Sequence, residues 1–413
     1  MATPLPAPSR PEIPPEEPAE GKNLARQAIA GIATRLRQGE LSVMPVVLSL
    51  IAVWIFFQAL DSHFLTARNI SNLVLQISVI GTIATGVVLV LLLGEIDLSV
   101  GSVAGLSSAV LGSLLVVHGW PWWAAVLAML ATGAAVGAFQ GAWFAIIGVP
   151  SFVVTLAGNL GWLGVQLRVL GENGTINVFD ENIAKIATSF LPSYWGWILA
   201  IGVSCAYSTS RLVRETRRQR AGLPATGTAA VMAEGIGLIA LSCFAVAVLN
   251  SAQGVPTAGV ILMGVVLFFA WMTTRTGFGR YIYAVGGNAE AARRAGINVT
   301  RVRITVFTLG STMAALGGLI AVSRGAAAST QTGGGTLLLE SIAAAVIGGT
   351  SLFGGRGSVW SALFGALVIG SVSNGLDLVG QSAEVKYIVS GAILLLAITI
   401  DALSRRTREA AGR

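Results

Sequence analysis

Nearly uncharged apolar runs of about eighteen residues or more recur between residues 43 and 403. As helices, each is long enough to cross a hydrocarbon core of about 30 Å. The counts exclude a soluble surface: 54% of residues are apolar and 11% charged, where ordinary globular chains carry about 25% charged residues. The expected fold is an all-α integral membrane protein, a polytopic bundle of about 10 to 12 transmembrane helices. Read with a window of about nineteen residues, the spans are 43–60, 73–93, 100–117, 123–147, 152–170, 193–209, 229–249, 258–274, 304–322, 338–353, 359–375 and 388–403. The tenth is short, and its Gly348-Gly349 and Gly354-Gly355 pairs point to a broken or re-entrant helix, so ten or eleven crossings stay open.

Lys and Arg collect on the cytoplasmic side of membrane proteins. With both termini inside, the inner segments hold 21 of the 26 basic residues, leaving Arg68, Arg168, Lys185, Arg324 and Lys386 outside. Residues 1–42 then form a cytoplasmic tail, 43–403 the membrane domain and 404–413 a second cytoplasmic tail. The Pro/Glu-rich stretch to about Gly21 has too little apolar surface to order, and Asn23 to Gln38 fits a basic amphipathic helix at the membrane surface. No apolar core with a cleavage site begins the chain, so no signal peptide is expected. The net charge of +7 is spread in short clusters between apolar runs, a pattern that does not bind nucleic acid. Cys205 and Cys243 both fall in apolar runs, which leaves neither a disulfide framework nor a metal site. Gly133, Gly137 and Gly141, with Gly101 and Gly105 in the span before, are spaced for close helix contact.

Three segments stand out. Gly94-Glu-Ile-Asp-Leu-Ser-Val-Gly101 puts two carboxylates in a very short connection. Asp97 fits a cap on the following span, while paired carboxylates also raise acid/base chemistry or cation coupling. The second segment is the 29-residue interior loop Arg275 to Arg303. In it Asn288 suits an N-cap, Glu290 the first turn, Arg293 and Arg294 the last turn and Gly296 a left-handed C′ position, which predicts a short capped surface helix. An ordinary basic loop obeying the charge rule is the plainer reading. The third, Ile347-Gly-Gly-Thr-Ser-Leu-Phe-Gly-Gly-Arg-Gly357, interrupts an apolar run with glycines and hydroxyls at Gly348, Gly349, Thr350 and Ser351. It is either a passage element, since irregular backbone at membrane depth needs protein or water around it, or an interior turn.

Ionisable residues are scarce inside the spans: Glu95, Asp97, Glu234 and Glu340 all sit at or near predicted span ends. Proton-coupled secondary carriers usually keep buried relays, and a lipid-modifying enzyme needs clustered His, Asp or Glu; neither mark is present. No phosphate loop surrounds Lys22, Lys185 or Lys386, so the chain is not expected to hydrolyse ATP, and no catalytic residue is assigned.

From roughly Asn69 to Asp401 the sequence resembles the ribose/xylose/galactose-type permease family of bacterial binding-protein-dependent ABC importers. Gly94, Glu95, Ile96, Asp97, Leu98, Ser99, Val100 and Gly101 match its Gly-x-Ile-Asp-Leu-Ser-Val-Gly signature, and Ile347 to Gly357 match its second glycine-rich segment. Glu290, Ala291, Ala292 and Gly296 reproduce the Glu-Ala-Ala-x-x-x-Gly core of importer coupling loops, without the Ile-x-Leu-Pro that often follows. The length and the extra spans around 193–249 look most like the xylose permease branch. The resemblance implies a homodimer in the bacterial inner membrane, a cytoplasmic ATPase with two fused cassettes that uses the ATP, and an extracytoplasmic binding protein that delivers a monosaccharide. Asn288 to Gly296 would then couple to the ATPase. Uncharged candidates for the sugar passage are Ser107, Ser108, Gln140, Thr155 and Asn159.

Overall fold

In the computed structural model the described residues are 44–223, 227–334 and 336–410. The expected N-terminal disorder and amphipathic helix lie outside them. Each apolar run is helical. The first five spans are α1 (Met44–Leu60), α2 (Ala67–Leu92), α3 (Val100–Gly112), α4 (Trp122–Ala142) and α5 (Ser151–Leu170). A π turn extends α3 to Val117 and another extends α4 to Ile147. Next come β1 (Thr175–Asn177), α6 (Glu181–Thr188), β2 (Phe190–Leu191), α7 (Ser193–Arg220), α8 (Thr228–Asn250) and β3 (Val255–Pro256). The chain continues through α9 (Thr257–Arg275), α10 (Gly277–Gly287), α11 (Ala289–Arg294), α12 (Val299–Gly325) and β4 (Ala327–Ser329). It ends with α13 (Leu337–Ile347), α14 (Trp360–Leu378) and α15 (Ala383–Ala410).

Four spans, α4, α5, α7 and α9, start directly after Pro121, Pro150, Pro192 and Pro256. A helix start has backbone N–H groups without partners, so proline's missing donor costs nothing there. Among the described residues eight helices are long and apolar enough to cross a membrane, and α1 and α13 are shorter apolar helices. The fold is thus a polytopic all-α membrane bundle with, among the described residues, only two small two-stranded ladders, β1 with β4 and β2 with β3.

The core is centred on α2, 83% buried over its most apolar stretch. Helix α12 packs on α2, α3 and α4. Gly133, Gly137 and Gly141 form the contact surface of α4 as their spacing predicts: a Cβ at Gly133 would lie 2.8 Å from the Ser311 carbonyl, and one at Gly141 3.0 Å from the Ile304 Cα. Close backbone approach gives dispersion contacts where lipid provides no hydrophobic drive. Gly101 and Gly105 act differently: they meet the non-helical backbone of Gly333 and Thr332, together with the side chains of Leu338 on α13 and Gln166 on α5.

Hydrogen bonds and ion pairs between connections gather at two ends. At one end Ser151 donates to Glu95 (2.8 Å), Arg303 pairs with Glu95 (3.1 Å) and the Gly355 amide donates to the Leu92 carbonyl (2.9 Å). At the other end β1 pairs with β4, β2 with β3, and Asn69 and Asn374 exchange amide hydrogen bonds of 2.7 and 3.1 Å. Successive spans therefore alternate in direction.

Four expectations need correction. The tenth span is shorter than expected: helix α13 has 11 residues, about 16 Å at 1.5 Å each, and it stops at Gly348, where the glycine pairs pointed to a break. The rest of that crossing is non-helical: strand β4 and the described residues 330–334 after it, which reach the packed faces of Gly105 and Gly101. Residues 348–357 are a turn beyond the helix. Asp97 does not cap α3 directly; Ser99 holds the N-cap position, and Asp97 accepts from the Ser99 amide at 2.8 Å. The Arg211 to Arg220 segment, expected as a connection, continues α7 as helix, and Arg301 and Arg303, expected in a loop, belong to α12.

Candidate functional site

The capped helix forms where the sequence places it. Asn288 accepts from the Ala291 amide at 2.9 Å, Glu290 lies 3.3 Å from both Arg293 and Arg294, and Gly296 has φ +85°. The Gly296 and Ile297 amides close the end on the carbonyls of Arg293 and Ala292. Ala292 is buried as its anchor, while Asn288, Glu290, Ala291, Arg293 and Arg294 are exposed. The helix is thus fixed on one side and open on the other.

Its support brings all three sequence segments together. Gly286, at the end of α10, lies so close to Leu92 that a Cβ would collide with its carbonyl oxygen. A Cβ at Gly354 would come within 2.7 Å of the Gly286 carbonyl and of Gly94. The Tyr283 hydroxyl donates to the Gly357 carbonyl at 3.0 Å. Backbone-on-backbone packing of this kind tolerates only glycine. Beside it, the Glu95 carboxylate is held by Ser151 and by Arg303, whose guanidinium also lies 4.7 Å from the Phe144 ring centre. Burial pushes the Glu95 carboxyl above its ordinary range, opposed by the Ser151 hydroxyl and the Arg303 charge. Sequence reading missed Arg303 and Ser151 as Glu95 partners; an arginine set at the start of an apolar run was the available signal.

The passage candidates do not converge on one surface. The Ser99 hydroxyl lies 2.6 Å from Asp97 Oδ1 and 2.9 Å from Gln140 Oε1, one proton shared between two oxygens. Burial pushes the Asp97 carboxyl up, opposed by the Ser99 hydroxyl and amide. Thr155 accepts from the Leu98 amide at 3.1 Å, so Gln140 and Thr155 tie α4 and α5 to the start of α3. Ser108 bonds its own helix at the Ala104 carbonyl, and Ser107 is fully buried. Asn159 alone of the five is half-exposed. Gly348 packs against the Ser361 backbone, Gly349 has φ +103°, Thr350 is buried, and Ser351 accepts from the Phe353 amide at 3.3 Å. A further buried polar element went unnoticed in the sequence. Gln166 on α5 is 1% exposed and donates to the Ser329 and Thr332 carbonyls at 2.9 and 3.2 Å, satisfying the irregular half-crossing.

The chain matches the family described as the branched-chain amino acid transport system / permease component over residues 69–398. It is 40% identical over 373 residues to the xylose transport system permease protein XylH of Escherichia coli (strain K12), covering 90% of this chain and 94% of that one. The ribose import permease protein RbsC of the same strain is 35% identical over 357 residues, 86% of this chain and 92% of its own length. The fructose import permease protein FrcC of Rhizobium meliloti is 31% identical over 366 residues, covering 88% and 86%. No solved structure matches. The alternating apolar helices, the three glycine-bearing segments assembled at one end and these matches lead to one conclusion: the chain is a multi-pass inner-membrane protein that belongs to this permease family, whose relatives here are sugar permeases of ABC importers.

Proposed function

We propose that this chain is the permease subunit of an ATP-driven importer that carries a monosaccharide, D-xylose first, into the cytoplasm. Its partners in this reading are a second copy of itself, a cytoplasmic ATPase with two fused cassettes and an extracytoplasmic binding protein. The chain binds no cofactor, and the ATPase uses the ATP. Both termini then face the cytoplasm, because the end that carries α11 also carries the arginine clusters.

One observation carries the reading: an exposed capped helix, Asn288 to Gly296, rests on a backbone contact among Gly94, Gly286, Gly354 and Gly355. Force applied to α11 reaches the ends of α2 and α13 without passing through flexible side chains. Coupling then requires only that the two ATPase states bind the two permease states with different affinity. Xylose is favoured over ribose by the 40% against 35% identity of the two relatives.

The deciding experiment deletes the gene in its native host and measures uptake of labelled D-xylose and D-ribose, with and without ATP depletion. Loss of xylose uptake, restored by the chain together with its ATPase, is the expected result. Uptake that survives ATP depletion would put the chain among secondary carriers, and loss of ribose uptake alone would reassign the sugar.

A further inference from the structure

We propose that the arginine-rich end of the α7–α8 hairpin binds the headgroups of anionic phospholipids in the inner leaflet. Helices α7 and α8 pack chiefly against each other. Of the 28 residues of α7 only Gly196, Ser204 and Glu215 are buried, and α8 is 11% buried over its most apolar stretch. Ser204 meets Ser242 of α8 at 2.9 Å, so the small polar groups face the partner helix and the apolar remainder faces lipid.

Length fixes where the charges emerge. At about 1.5 Å per residue, Arg214 lies about 32 Å along the axis from Ser193 and Arg220 about 40 Å. The hydrocarbon core is about 30 Å thick. With Tyr194, Trp195 and Trp197 exposed at the opposite end, where aromatic rings settle at a membrane interface, Arg214 to Arg220 stand at and beyond headgroup depth.

The nearby acids do not neutralise this cluster. Glu215 turns inward and accepts from the Gly227 amide at 2.6 Å, and Glu234 pairs with Arg211 at 2.8 Å. Arg214, Arg217, Arg218 and Arg220 are exposed, and none has an ion pair among the described residues. Among the described residues, no hydrogen bond or ion pair joins the 211–228 end to any element outside the hairpin. A motor protein would be expected at α11, on the packed core, and among the described residues no hydrogen bond or ion pair links this tip to α11. Four guanidiniums within two turns at the leaflet surface match phosphate in charge and geometry.

The test uses the full chain in mixed micelles of phosphatidylcholine and phosphatidylglycerol, counting bound phosphatidylglycerol per protein by mass spectrometry. Changing the four arginines together to Gln should lower that count about fivefold or more, since each basic residue near a charged leaflet contributes about 1 kcal/mol, roughly a fivefold factor. The same four changed to Lys should retain most of the binding, because the charge stays. Salt near 1 M should abolish the difference, as the screening length falls to about 3 Å. Equal phosphatidylglycerol in the Gln and unchanged chains overturns the proposal. So does a Gln variant that keeps its lipid but loses a copurifying protein, which would make the cluster a protein-docking surface. Sugar uptake is not the readout, so this outcome is independent of the importer reading.

Discussion

Arg303 and Glu95 show how a charge pair behaves when burial dominates. Burial raises the Glu95 carboxyl pKa in the folded chain above its ordinary value of 4.5, so the ionised form is tolerated because Arg303 and Ser151 face it. Arg303→Gln leaves that carboxylate without its cation and should cost about 1–3 kcal/mol, seen as a lowered melting midpoint in detergent. The variant should recover as pH falls: a raised folded-state pKa means that stability rises as Glu95 protonates, completely below the ordinary carboxyl value of the unfolded chain. Adding Glu95→Gln should restore much of the loss at neutral pH. A double variant no more stable than Arg303→Gln would remove the pair from the account. Nothing local in the sequence announces this contact, since the partners are 208 positions apart. By contrast Asn288 and Gly296 were readable, because a cap depends on residues within one turn. Asp97 was readable only in part: an Asp before Ser-Val-Gly fits either a cap or a turn, and the fold uses Ser99 for the cap.

The element of greatest consequence for coupling is α11 with its left-handed end. Gly296→Val places a β-branched side chain at φ +85°, a cost of about 1–2 kcal/mol, which should loosen α11. Sugar uptake should fall severalfold while the amount of protein in the membrane stays constant; unchanged uptake would free α11 of the role given to it. The non-helical half-crossing around Ser329 and Thr332 depends on Gln166 in a similar way. Gln166→Leu strands two carbonyls at membrane depth and should lower stability by about 1–3 kcal/mol, measured as earlier loss of monodisperse protein on heating. The break itself escaped an apolar-run reading because Gly325-Ala-Ala-Ala-Ser-Thr-Gln-Thr-Gly333 is weakly apolar. It looks like a loop until Gly101 and Gly105 are seen packed against it. The glycine pairs at 348–355 drew attention instead, though they serve the joint beneath α10.

Span positions and the alternating course of the chain were nearly complete in the sequence, since twenty-odd apolar residues admit few other structures in lipid. What it did not disclose is which spans are central, because α2 and α8 are equally apolar while 83% of one stretch and 11% of the other is buried. Orientation is open to a direct check in a cysteine-free background lacking Cys205 and Cys243. A single cysteine at Ala291 should react with an impermeant maleimide only after the membrane is opened, and one at Glu172 in intact spheroplasts. The reverse pattern would invert the topology and detach α11 from any cytoplasmic motor.

The unwound stretch between β4 and α13 also bears on how the protein is made. Its Ser329 and Thr332 carbonyls cannot wait in oil, so they need Gln166 already in place when they arrive, and the close approach of their backbone needs the side-chain-free faces of Gly105 and Gly101. Those residues belong to earlier-translated spans, which makes chain order an assembly instruction: a permuted chain that synthesises residues 326–347 first would have to hold that segment outside the bilayer until its hosts were built.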